Sequence, residues 1–112
     1  MHFCYTAQYT PHALNSIMDD PKTNPYEATR KLIETAGGKL ISMYSTAADG
    51  PGVLIIFDVP DPEVAAAISG LALATNTVHN PKLTRLMTQE EVSHVRQKAR
   101  ELRGAYHPPG KT

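Results

Sequence analysis

The chain has 112 residues, enough for one domain that buries roughly two-thirds of its unfolded surface and too few for two. Eleven basic side chains balance eleven acidic ones, so no net field draws the protein to nucleic acid or to an anionic membrane, and neither is expected as a partner. A lone cysteine, Cys4, excludes an internal disulfide; with no basic-then-apolar leader and no apolar run longer than Val53–Phe57, the expected compartment is the cytoplasm.

Residues 2–9 place Phe3, Tyr5, Ala7 and Tyr9 on one side and His2, Cys4, Thr6 and Gln8 on the other, the period of a strand. Thr10 offers a capping oxygen and Pro11 suits a first helical position, so a helix is expected from there to about Asp19, stopped by Asp20-Pro21. A second start follows directly: Asn24 can cap, Pro25 takes the first position, and Glu27 stands where a capping box needs a carboxylate. Ala28, Leu32 and Ala36 form the expected buried stripe of that helix, and Gly37-Gly38 ends it.

Residues 39–46 alternate again, with Leu40, Ser42, Tyr44 and Thr46 facing one way and Ile41, Met43 and Ser45 the other. The turn-forming run Ala48-Asp49-Gly50-Pro51-Gly52 then joins this strand to residues 53–59 as a hairpin with a loop longer than a two-residue turn. That third strand is apolar on both faces. Pro60 breaks it, and Asp61 caps a helix that begins at Pro62 and runs to about Ala74, with Gly70 inside it as a local weakness of about 1 kcal/mol. Residues 77–87 form a fourth strand interrupted by Asn80-Pro81, where a bulge or an edge position is expected because proline cannot donate to a ladder.

Thr88 to Glu91 forms a capping box for a last helix, whose Val92, Val95, Ala99 and Leu102 make one narrow apolar seam expected to dock on its own protomer or on a partner. This end of the chain is basic: residues 94–112 hold five Lys/Arg against one Asp/Glu, whereas residues 1–93 hold six against ten. Residues 1–104 are expected to form the single domain, ended at Gly104, and residues 105–112 a flexible tail.

The order β-α-β-β-α-β predicts an α+β, ferredoxin-like unit: a four-stranded antiparallel sheet with helices on one face and an extra C-terminal helix. The helices cover one face only. A third strand apolar on both sides calls for a second cover, and another copy of the sheet is the simplest, so a homodimer is expected.

Tyr9-Thr10 after the first strand, Glu27-Ala28 through Gly37-Gly38-Lys39-Leu40, Tyr44, the run ending Pro60-Asp61, and Leu83-Thr84 through Thr88-Gln89-Glu90-Glu91 together resemble the GYD-domain family over roughly residues 2–93. The resemblance implies membership of the dimeric α/β-barrel superfamily. That superfamily includes cofactor-independent monooxygenases, muconolactone-type isomerases, haem-handling enzymes and ligand-sensing domains, with a pocket beside the sheet of each protomer. Where the family carries its Gly-Tyr-Asp signature, this chain has Asp49-Gly50-Pro51-Gly52, so no role of that tyrosine or aspartate carries over.

The candidate site residues follow from position. His12, in the first turn of the first helix beside Tyr9, can act as an acid or base near neutral pH where free helix N–H groups gather, and Tyr44 is paired with it as a second catalytic candidate. Tyr5, Tyr9 and Tyr44 offer aromatic walls with polar tips, so Tyr5 and Tyr9 are read as ligand-binding, joined by His79 at the interrupted strand. Tyr9, His12 and Tyr44 are expected to line one cavity. His2, His12, His79, His94 and His107 are scattered without metal-binding spacing, no phosphate loop is present, and neither a metal nor a cofactor is expected.

Two functions fit this reading. One is a small-molecule binding or accessory homodimer without turnover. The other is a cofactor-independent enzyme of isomerase, monooxygenase or lyase type acting on a small planar or aromatic metabolite.

Overall fold

The computed structural model describes residues 1–47 and 50–110. Ala48 and Asp49 of the expected turn, and Lys111 and Thr112 of the tail, lie outside the described residues. The elements are strand β1 (His2–Tyr9), helices α1 (Pro11–Asp19) and α2 (Pro25–Thr35), strands β2 (Lys39–Thr46) and β3 (Gly52–Asp58), helix α3 (Pro62–Ala74), strand β4 (Val78–Leu86) and helix α4 (Gln89–Leu102).

Each helix begins where a side chain takes an otherwise orphaned N–H. Thr10 Oγ1 accepts from Ala13 N at 3.1 Å, Asn24 Oδ1 from Glu27 N at 3.4 Å, and Asp61 Oδ1 from Val64 N at 3.0 Å. At α4 the box is reciprocal, with Glu91 N donating to Thr88 Oγ1 and Thr88 N to Glu91 Oε1, both at 3.1 Å. The box expected at α2 is incomplete, because Glu27 turns its carboxylate to Arg30 at 2.7 Å.

Two helices stop by the same device, a left-handed residue that lets the last N–H groups fold back. Gly37, at φ +85°, ends α2, with Gly38 N donating to Ile33 O at 2.9 Å. Asn76, at φ +58°, does this for α3, where Thr77 N donates to Ala72 O at 3.3 Å. Asn76 therefore has a role of its own beyond preceding the fourth strand. Thr10 is drawn onto the same turn, its hydroxyl donating to Asn76 O at 2.7 Å.

The strands form one antiparallel sheet in the order β2-β3-β1-β4, and the helices follow the β-α-β-β-α-β order, so the fold is α+β and ferredoxin-like. β1 and β3 are central, and Gly52 lies so close to the Ala7 carbonyl that any side chain there would displace the strand. The core sits between sheet and helices: Phe3, Tyr5 and Ala7 of β1 meet Val53, Ile55 and Phe57 of β3, beneath Ile33 of α2 and Ala65 of α3. In α2, Ile33 is the residue fully buried, while Leu32 and Ala36 are half-buried and Ala28 is exposed. The expected stripe was one position out of phase, since alanines bury too little area to set the helix rotation against an isoleucine.

Bulges on both edge strands decide which side chains face the helices. In β4 the register shifts opposite Thr6 and Gln8, with Asn80-Pro81 as the irregular pair, so the interrupted strand is both bulged and at an edge. In β2 the register shifts between Leu40 and Ser42, leaving Ile41 as the extra residue. Leu40 opposite Phe57 and Met43 opposite Ile55 consequently both face the helices, while Ser42 and Tyr44, opposite Ile56 and Leu54, face away. The simple alternation read from residues 39–46 fails because one inserted residue flips every side chain after it.

Helix α4 projects from this body. The longest extent is 61 Å and the radius of gyration 18.0 Å, against about 13 Å for a compact domain of similar length. No residue of α4 is buried, and Val95 and Leu102 are 50% and 67% exposed, so its seam does not dock on its own protomer. Its C-terminal end continues through Gly104 in a 3₁₀ turn, Arg103–Ala105, instead of stopping there.

Candidate functional site

The sheet's helix-facing side holds a cavity of about 190 Å³. Its floor is sheet: Tyr5 and Tyr9 of β1, Met43 of β2, and Val53, Ile55 and Phe57 of β3. Its roof is Pro25, Ala28, Leu32 and Ile33 of α2 with Ile68 and Ala72 of α3. Thr29, Thr77 and Val78 complete the wall, and among the described residues no charged side chain lines it.

The alternation of β1 creates this floor by sending Phe3, Tyr5, Ala7 and Tyr9 to one face, and the bulge in β2 adds Met43. Tyr5 is 4% exposed and its Oη is buried without a hydrogen-bond partner. Burial pushes its phenol above the ordinary value, and the neighbouring Ser69 hydroxyl offsets this in part. Burial raises the half-buried Tyr9 phenol in the same way. Both groups therefore stay protonated through neutral pH.

The other expected residues lie elsewhere. His12 is exposed on α1 and lines no part of this cavity, and Thr10 takes the Ala13 N–H at the helix start beside it. Tyr44, 62% exposed, is on the opposite face of the sheet opposite Leu54. His79 is on that opposite face too, beside Gln8, where Asn80 at φ +52° donates from Nδ2 to Gln8 Oε1 at 3.0 Å. Of Tyr9, His12 and Tyr44, only Tyr9 thus lines this cavity. The physical reasons are separate: β3 lies between β1 and β2, the β2 bulge reverses Tyr44, and a histidine at the second helical position turns outward. Tyr5 and Tyr9 are the pair brought together.

The residues missed by sequence reasoning are Ile33, Ile68 and Ala72 of the roof and Thr29 of the wall, together with Ser69 beside Tyr5. Their signal was present only as helical periodicity, which marks a buried face without showing whether that face meets protein or a void. Among the described residues no group of three or more His, Cys, Asp or Glu side chains is placed to hold a metal ion. No helix among them is long and apolar enough to cross a membrane.

The model of the GYD domain family matches residues 3–95, four-fifths of the chain, taking in the sheet from Phe3 onward and its covering helices. The chain belongs to the GYD domain family. None of the curated proteins matches it. The family region contains all the cavity residues, whereas the second half of the exposed α4 lies beyond it.

Proposed function

We propose that this GYD-domain protein is a small-molecule binding protein that acts as a homodimer, holding its ligand in the cavity between the helices and the sheet. The observation that carries this reading is the apolar void of about 190 Å³ between sheet and helices, walled by Tyr5, Met43, Ile55 and Ile68. A protein interior close-packs, so an apolar void of this size marks a place that a small molecule can fill.

Binding is favoured over turnover. The titratable groups of the wall are two phenols, both shifted away from accepting or releasing a proton near neutral pH, and a general base would need the opposite shift. The homodimer rests on the sheet's uncovered face, where Leu54 and Ile56 of β3 run beside exposed Tyr44.

The test is thermal unfolding of the full chain with and without toluene, a probe matched to the cavity in size. Toluene should raise the melting temperature of the parent by mass action and should leave that of Ala72→Leu, which fills the cavity, unmoved. Equal response of both proteins, or of neither, would sink the proposed site.

A further inference from the structure

We infer a second binding site, for a small monoanion such as a carboxylate, on the sheet face that the helices leave uncovered. A pocket there is walled by Thr6 and Gln8 of β1, Thr46 of β2, and Asn80 and Lys82 of β4, with Gly50 of the β2–β3 turn at its rim. Ala7 and Val53 turn their side chains to the core, so they give this pocket a backbone floor. In the register Thr46 and Gln8 flank Gly52, and Lys82 stands opposite Thr6. Gly52 has no side chain to fill the space between its neighbours, and a depression in the sheet results.

The backbone takes uncommon conformations where it shapes this pocket. Asn80 is left-handed at φ +52° directly before Pro81, a conformation that is costly for a residue with a side chain and disfavoured before proline. It belongs to the bulge of β4, which aims Asn80 Nδ2 across the sheet at Gln8 Oε1, 3.0 Å away. From the other side comes Gly50, left-handed at φ +104° and so close that an added Cβ would lie 3.1 Å from Gln8 Nε2. The Gln8 carboxamide is thus held between two left-handed residues. Strain of the kind stored at Asn80 gathers at ligand sites, and here it secures only one exposed hydrogen bond of the fold itself.

Charge sets the ligand class. Lys82 is the single charged side chain among the described lining residues, and none of the described carboxylates pairs with it. Among the described residues the Thr6 and Thr46 hydroxyls also find no hydrogen-bond partner, and both are half-buried. One ammonium and two hydroxyls offer donors on three sides, and a carboxylate answers them with one negative charge and two acceptor oxygens. A dianion would leave one charge unmatched, and a cationic ligand would meet the like charge of Lys82. The pocket opens on the face assigned above to a second copy, so a copy seated there would lie over its mouth and the bound anion would sit between the two.

The experiment follows amide shifts of the full chain in NMR titrations with acetate and with its neutral isostere, acetamide. Acetate should saturate, with shifts centred on Thr6, Thr46 and Lys82, and acetamide should bind about tenfold more weakly or not at all. Lys82→Met removes the charge and keeps most of the side chain's length; Thr6→Val removes a hydroxyl at nearly constant shape. Neither position is in the core, so both variants should give the spectrum of a folded chain, and each should weaken acetate binding about tenfold, the loss of one charge-assisted contact. Acetate affinity unchanged in either variant, equal binding of acetamide, shifts centred elsewhere, or no saturation at all overturns the site. The apolar cavity lies on the other face of the sheet, so each of these outcomes is separate from the outcome of the toluene test.

Discussion

A phenol sealed inside a protein without a partner lowers the stability of the empty fold by the cost of its lost hydration, about 1–3 kcal/mol. Tyr5 is such a phenol. Replacing it with phenylalanine removes the hydroxyl and keeps the ring, so Tyr5→Phe should stabilise the ligand-free protein by about 1 kcal/mol, read as a higher urea midpoint at unchanged slope. A lower midpoint would show that Ser69 satisfies the hydroxyl after all. The pH dependence has a definite sign. Burial raises the phenols of Tyr5 and Tyr9 above the 10.0 of an exposed tyrosine. The unfolded chain consequently releases these protons first as pH rises, and stability that is complete below about pH 10 is lost above it. Tyr5→Phe should make that alkaline loss shallower. At this scale the sequence was legible wherever a residue sat on an uninterrupted strand: Tyr5 and Tyr9 are where period-two alternation puts them. Tyr44 and His79 lie past irregularities in β2 and β4, and no composition signal counts the extra residue of a bulge.

The elements themselves were read more easily than the faces they present, because caps and stops are local chemistry. Thr10, Asn24, Asp61 and Thr88 begin helices through hydrogen bonds that span only three residues. Asn76 escaped notice as a stop because asparagine reaches the left-handed region without the glycine that normally announces it. Gly70 shows how element-level reading can be carried to a number. It lies inside α3, is exposed, and an added Cβ there would meet nothing within 4 Å. Gly70→Ala removes the backbone entropy of glycine from a helix interior without a steric cost, so a gain of about 1 kcal/mol is expected. For a domain of this size that corresponds to a melting temperature about 4 °C higher, measurable by calorimetry. A decrease would mean that something outside this chain packs against the glycine, and a partner's helix would be the first suspect.

At the scale of the whole molecule, the asymmetry of the sheet is what demands explanation. One face carries two helices and the core; the other carries Cys4, Thr6 and Gln8 of β1, Ser42 and Tyr44 of β2, and Leu54 and Ile56 of β3. The uncovered face is less apolar than the third strand alone suggested, since its neighbours on both sides are polar or small. An apolar strip along one central strand with an exposed tyrosine beside it still fits a self-complementary contact about a twofold axis better than it fits water. Adjacent residues of β3 separate the two roles of the sheet. Ile55 is 8% exposed and faces the helices, so Ile55→Glu buries an unpaired carboxylate in the core and should unfold the protomer. Ile56 is only partly buried and points the other way, so Ile56→Glu should leave a folded chain that no longer pairs. Circular dichroism and sedimentation together decide the matter: the first variant should lose its folded signal, and the second should keep it while sedimenting as a monomer where the parent sediments as a dimer. If the parent itself is a monomer at micromolar concentration, or if Ile56→Glu remains dimeric, the uncovered face is not the interface. The unburied seam of α4, Val95 and Leu102, would then be the surface on which to look for self-association.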